Sequence, residues 1–183
     1  VKPVRLEQLG PAHRAGYQAM VREWQELAGA YPFNDGELAL RDFDAFLGDV
    51  ALEGDSPSGP DGVFRQISYM IVASDGEVLG ELRFRPWLEA PYRSHHGHVA
   101  CNVRPSRRGQ GVARAAFAAV LDIAARDFGL PVVTADVEGE NPASVRVLLH
   151  AGSRLVLEET RPDSSRVRWF ECPTVVLPPT RAM

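Results

Sequence analysis

Along the 183-residue chain, apolar positions recur at helical spacing in some segments and at strand spacing in others. From Pro11 to about Ala28, the residues Tyr17, Met20, Val21, Trp24, Leu27 and Ala28 mark one face of a helix, and Pro11 suits its first turn. The turn formers of GAYPFNDGE interrupt the pattern. From Glu37 to about Leu52, Leu40, Phe43, Phe46, Leu47, Val50 and Ala51 resume it as a second helix. GDSPSGPDG, residues 54 to 62, reads as an exposed, mobile loop.

From Phe64 onward the pattern favours strands. Residues 67–73 and 78–88 flank SDGE, whose Asp75-Gly76 pair predicts a hairpin, and 98–103 predicts the next strand. A long helix then carries Ala113, Ala116, Phe117, Val120, Leu121, Ala124 and Phe128 on one face and stops at Gly129 and Pro131. VVTADV, residues 132–137, is an apolar strand of the kind covered on both faces. NPASVRVLLHAG predicts a helix capped by Asn141, with Pro142 in its first turn and Gly152 past its end. RLVLEET and RVRWFEC form a closing hairpin around RPDSS. This order predicts an α/β chain with a mixed sheet and helices on its faces.

Composition narrows the picture. The length suits one domain over residues 1–183, with 174–183 as a tail, and 45% hydrophobic residues are enough for a sizeable core. A formal charge of −4 argues against broad nucleic-acid or membrane binding, since both need a positive footprint. Cys101 and Cys172 make neither a disulfide framework nor a zinc site, so no metal is expected. With no secretory leader or apolar run of bilayer length, a soluble chain in a reducing cytoplasm is the expectation.

The densest chemistry lies in VRPSRRGQGVARAAF, residues 103–117, where a strand hands over to the long helix. Gly109 and Gly111 lack the Cβ that would keep a ligand from the backbone, and a helix N-terminus offers unpaired amides and partial positive charge. Arg104, Arg107, Arg108 and Arg114 can add charge-assisted bonds to phosphate. A diphosphate-bearing ligand fits; a glycine-rich cap with solvated arginines is the plainer alternative. The lysine and hydroxyl of a P-loop are missing, and Arg114 stands where a dinucleotide fingerprint needs a small residue.

Arg108-Gly109-Gln110-Gly111-Val112-Ala113 resembles the R/Q-x-x-G-x-G/A signature of the GNAT superfamily of N-acetyltransferases, and Val103-Arg104-Pro105 resembles the V-x-P that precedes it. Asn141-Pro142-Ala143-Ser144 with Gly152 resembles the family's second motif. More narrowly, HVACNVRPSRRGQGVA is similar to the version in a bacterial subgroup of predicted acetyltransferases. The resemblance implies a GNAT-like fold, a mixed and mostly antiparallel sheet of six to seven strands with about four helices. It also implies acetyl-CoA as co-substrate in a cleft between two splayed strands. Backbone amides of Arg108 to Ala113 would hold the pyrophosphate, with Arg114 near the phosphates. The main chain at Cys101 and Val103 would pair with the pantetheine arm, and Asn141 and Ser144 would face it.

An amine acceptor, on a small molecule or a peptide, must lose its proton before attack, so a base or a relay to one is needed. The strand before the signature carries no acid; His98 and, on the neighbouring strand, Glu81 are the candidates, each also readable as structural or solvated. Where many relatives carry a tyrosine as general acid, seven residues after the motif asparagine, this chain has Leu148. A covalent route through Cys101 is disfavoured, since a cysteine in an apolar strand is ordinarily packing. In the family, the loop between the first two helices and the last hairpin border the acceptor pocket. There Tyr31, Phe33 and Asp35 suit a cationic or aromatic-contacting amine, unless they only pack the loop, and Arg85 and Trp87 reach toward the same cavity. The competing reading is a non-catalytic acyl-CoA-binding or sensing module. The chain is expected to be a monomer or homodimer, with no nucleic-acid or membrane partner.

Overall fold

The strands form two antiparallel sheets that meet edge to edge, in the order β1-β2-β3-β4 for the first and β5-β7-β6 for the second. The computed structural model describes residues 3–29, 31–33, 35–55, 65–88, 96–161 and 165–174. In chain order the elements are β1 (Val4–Gln8), a 3-10 turn (Pro11–His13), α1 (Arg14–Ala28), α2 (Gly36–Arg41), α3 (Phe43–Asp55), β2 (Ile67–Ala73), β3 (Val78–Phe84) and β4 (Val99–Val103). A second 3-10 turn (Pro105–Arg107), α4 (Val112–Phe128), β5 (Val132–Glu138), α5 (Pro142–His150), β6 (Arg154–Thr160) and β7 (Arg166–Pro173) complete them. The expected loop at 54–62 falls mostly, and the tail at 174–183 almost wholly, outside the described residues.

Two elements differ from the sequence pattern. The second helix is two, α2 and α3, because Asp42 is extended (φ −146°, ψ 91°) and its Oδ1 accepts the Ala45 amide at 3.0 Å, restarting the helix. β1 adds a strand: with only Val4 and Leu6 as apolar positions, it is too short to stand out by period and gains its order by pairing Leu6 opposite Ile71 of β2.

Each face of the first sheet has its own core. On one face, Ile71, Leu82 and Phe84 pack with Ala116, Phe117, Val120 and Ala124 of α4, and this core continues onto Val133, Ala135 and Phe170 of the second sheet. On the other, Met70, Val72 and Val78 pack under Tyr17, Met20 and Val21 of α1 and Phe43 and Phe46 of α3. The shared α4 core makes the two sheets one body.

The sheets join at the start of β4. The His98 amide donates to the Thr134 carbonyl at 2.8 Å, and the Gly97 amide donates to Asp136 Oδ1 at 2.7 Å. Such close backbone approach requires glycine at 97, where a Cβ would stand 2.6 Å from the Thr134 oxygen and 2.8 Å from the Ala135 Cα. We predict that Gly97→Ala forces the strands apart and lowers stability by about 2 kcal/mol. Urea melts of the two proteins measure this, and an unchanged midpoint would contradict it.

Candidate functional site

β4, α4 and β5 form a crossover, a connection that sets two strands side by side in the same direction. Beyond the joint at His98 and Thr134 the strands belong to separate sheets, so a gap opens between residues 99–103 and 135–138. The Arg85 backbone amide donates to the His98 carbonyl and the Arg104 backbone amide to the Leu79 carbonyl, which places even-numbered residues of β4 in the ladder with β3. Alternation then turns the amides and carbonyls of Val99, Cys101 and Val103 toward the gap. These are the strand-edge groups expected at Cys101 and Val103.

α4 begins at the upper end of the gap. Its N-cap is Gly111 in the left-handed region (φ 79°), where no side chain caps the helix and no acidic residue occupies the first turn. Gly109 is also left-handed (φ 71°), with open space around the position its Cβ would take. The loop Arg108 to Ala113 therefore presents bare backbone and a helix N-terminus to anything seated above β4.

The arginines of this stretch divide their work. Arg104 pairs with Glu23 of α1, and Glu23 also accepts the Ser106 amide at 2.6 Å. Hydrogen bonds from Ser106 and Arg104 lower the Glu23 carboxyl despite the opposing effect of burial. Arg107 bonds Glu77 at 2.7 and 3.0 Å. Arg104 and Arg107, candidates for phosphate contact, tie the glycine-rich loop to α1 and to the β2–β3 turn. Glu23 and Glu77 were not singled out in the sequence, since a lone acid on a helix face or in a turn reads as solvated. Arg108 stacks over Trp24, with Cζ 4.5 Å from the ring centroid, and its Nε reaches the Val103 carbonyl at 3.4 Å. Arg114, exposed on the first turn of α4, lies 3.1 Å from His150 Nε2.

The two proton-acceptor candidates sit in different settings. His98 is buried, its Nδ1 accepts the Thr134 amide at 3.0 Å, and the Thr134 hydroxyl lies 2.8 Å from the same nitrogen. The neutral ring therefore carries its proton on Nε2. Burial and, next, the Arg85 charge lower its pKa to about 4. A base that weak is matched poorly to proton abstraction near neutrality, and the geometry makes it a rivet in the β4–β5 joint.

Glu81 has no exposed surface; it accepts the Tyr31 hydroxyl at 2.6 Å and the Tyr17 hydroxyl at 3.2 Å, and Arg83 Nε lies 3.5 Å away. Burial raises its pKa, opposed by Arg83 and by the two tyrosines. Tyr31 is itself pushed well above the ordinary phenol range by burial and the Glu81 charge.

The remaining expected residues fall as follows. Asn141 caps α5, its Oδ1 accepting the Ser144 amide at 3.0 Å. Leu148 is buried in the α4–α5 core. The gap exposes Cys101 as a residue while protein mass crowds round it, and that desolvation pushes its thiol up to about 12, so it is a thiol at neutral pH. Asp35 caps α2 through the Leu38 amide at 2.9 Å, and Phe33 lies under Arg83, whose Cζ is 4.5 Å from the ring centroid. Arg85 donates to the Gly97 carbonyl at 3.0 Å, and Trp87 stacks with Arg65. In the loop and strand end expected to shape the acceptor cavity, several side chains thus serve the fold.

Residues 3–154 match the family model described as an acetyltransferase (GNAT) domain. Among solved structures, Mycobacterium smegmatis RimJ in complex with CoA-disulfide is similar at 21% identity and a TM-score of 0.69, over 93% of this chain and 81% of that one. RimL, a ribosomal L7/L12 alpha-N-protein acetyltransferase in complex with coenzyme A, is similar at 14% identity and a TM-score of 0.68, over 94% and 95%. Vibrio cholerae spermidine N-acetyltransferase with CoA and spermine is similar at 14% identity and 0.61, over 93% and 95%. At these identities the likeness is one of fold. No curated protein sequence matches the chain.

The His98 setting predicts a pH dependence of stability. With a folded pKa of about 4 against about 6.5 unfolded, the fold prefers the neutral ring. Its contribution is full above about pH 6.5, falls as pH drops through about 4, and reaches about 3 kcal/mol. His98→Asn keeps an acceptor for the Thr134 amide and removes the titration. Urea melts at pH 7 and pH 4.5 are expected to show a smaller stability loss in the variant than in the parent, and equal losses would contradict this assignment.

Proposed function

Because the chain belongs to the GNAT acetyltransferase family, whose model spans residues 3–154, we propose that it transfers the acetyl group of acetyl-CoA to a primary amine of a small molecule or peptide within a ternary complex. One observation carries this reading: the outward edge of β4 opens onto the uncapped N-terminus of α4. The pyrophosphate lies on the amides of Arg108 to Ala113, with Arg108 and Arg114 beside it. The pantetheine arm runs along the free edge of Cys101 and Val103. A strand-edge amide there donates to the thioester oxygen as negative charge develops on it.

The neutral amine attacks the thioester carbon, the carbon–sulfur bond breaks, and CoA leaves as a thiolate. A thiol pKa near 8.5 makes this departure tolerable without a protein acid, which suits Leu148 at that position. The proton lost by the amine passes through the Tyr31 hydroxyl to Glu81, whose raised pKa makes it a stronger base than an ordinary surface carboxylate. Support for this route over His98 comes from the depressed His98 pKa and the engagement of its Nδ1 by Thr134. The buried Leu148 also favours the alternative of an acyl-CoA sensor without turnover.

Calorimetric titration with acetyl-CoA, followed by CoA-release assays against amine panels, separates the readings. Binding with release supports transfer, binding without release supports the sensor, and no binding at millimolar acetyl-CoA contradicts both. Two variants sharpen the result. Gly109→Val is expected to weaken acetyl-CoA binding by about tenfold or more, since φ 71° is hostile to a branched side chain. Glu81→Gln is expected to lower kcat by about a hundredfold with little change in acetyl-CoA affinity. An unchanged kcat and pH–rate profile would remove Glu81 from the proton route.

A further inference from the structure

Beside the gap, on the α1 side of the first sheet, lie two hydrogen-bond donors with nothing to bond. Trp24 Nε1 and Asn102 Nδ2 are both shielded from water and without a partner, and Trp24 is only 9% exposed. A buried donor left unpaired costs about 1–3 kcal/mol, so each such group calls for an explanation. The two belong to one neighbourhood. Asn102 sits opposite Glu81 in the β3–β4 register, Tyr31 bonds Glu81, and the Trp24 and Tyr31 rings meet edge to face at 6.2 Å. Arg108, an exposed side chain, covers the Trp24 ring.

The electrostatics of this neighbourhood oppose a polycation. Arg83 stacks on Phe33 and lies 3.5 Å from Glu81, so one guanidinium group remains beside it after Arg108 has moved. The nearby carboxylates are engaged: Glu81 by two tyrosine hydroxyls, Asp35 by the α2 amide, and Glu23 by Arg104 and Ser106. What this face has to offer is unmet N–H donors, the complement of an oxygen-bearing group.

From this we infer that the acceptor carries a carbonyl or carboxylate oxygen next to its amine, as an α-amino acid or a peptide N-terminus does, and that Trp24 Nε1 and Asn102 Nδ2 read that oxygen once Arg108 has turned to the CoA phosphates. The inference rests on the acetyl-transfer reading for the position of the amine. In it the two residues set specificity and do no proton chemistry. A site built to bond an oxygen rejects an analogue lacking it, because its own donors then stay buried and unmet.

The test is direct binding to the CoA-saturated protein, which does not depend on turnover. Alanine, an Ala-Ala-Ala peptide, n-butylamine and spermidine are titrated in parallel. Alanine or the peptide is expected to bind at least tenfold more tightly than n-butylamine and spermidine, and which of the two is tighter tells free amino acid from chain terminus. Trp24→Phe and Asn102→Leu are each expected to weaken the favoured ligand by about tenfold and to leave the n-butylamine affinity unmoved. The CoA dissociation constant of each variant reports that it is folded. Equal or tighter binding of spermidine or n-butylamine, binding of none of the four, or variants that weaken all ligands alike would overturn the inference. Oxygen-selective binding without CoA release would count against acetyl transfer and leave the inference standing.

Discussion

The backbone bond from His98 to Thr134, with the Gly97 amide held by Asp136, is the contact on which the architecture turns. It sews two antiparallel sheets together at one end of a shared seam and lets them diverge from there. Had the bonding continued, residues 99–103 would have spent their outward amides on β5 and no edge would remain for a ligand. Had it been absent, the α4 core alone would have held the sheets, and the gap would have no defined width. Burial at this joint also explains why His98 is kept neutral: a protonated Nδ1 would turn its hydrogen toward the Thr134 amide and lose that bond.

Charge follows the same division between holding and binding. Glu23 and Glu77 neutralise Arg104 and Arg107 on the side of the loop facing α1 and the β2–β3 turn, which fixes the backbone of a glycine-rich segment that would otherwise be costly to order. Arg108 and Arg114 are left nearer the exposed mouth. Deeper in, Glu81 is a carboxylate kept from water by two tyrosines, and its surroundings turn a carboxylate into a stronger base. The glycine-rich loop thus offers backbone, and the deeper end a few buried polar atoms.

Much of this was legible in the order of residues. The periods of α4 and of β2, β3, β5 and β7 are strong because these elements bury a full face, and their bounds agree with the pattern to within a few residues, as do those of the largely exposed β6. Gly109 and Gly111 announced the bare loop, because left-handed backbone at a strand-to-helix junction has few other occupants. The break at Asp42 had a local sign, a capping aspartate inside an apolar helical run, that the hydrophobic period outweighed. What stayed out of reach was long-range: Glu23 reaches Ser106, Thr134 reaches His98, and Trp24 and Asn102 come within one neighbourhood. Such pairings depend on how α1 and β5 pack against β4, and no spacing along the chain encodes them. For the same reason Tyr31, Phe33 and Asp35, which suited a cationic amine when read in line, serve a buried carboxylate, an arginine stack and a helix cap in the fold.

Acyl-CoA is proposed to lie along the free edge of β4 with its pyrophosphate at the start of α4. Amide hydrogen exchange with and without saturating acetyl-CoA tests this most directly, because it reads the backbone groups themselves. Exchange is predicted to slow at Val99, Cys101 and Val103 and at residues 109–113, leaving the paired amides of β6 and β7 unchanged. Protection that spares both of those segments at saturating ligand would contradict this placement.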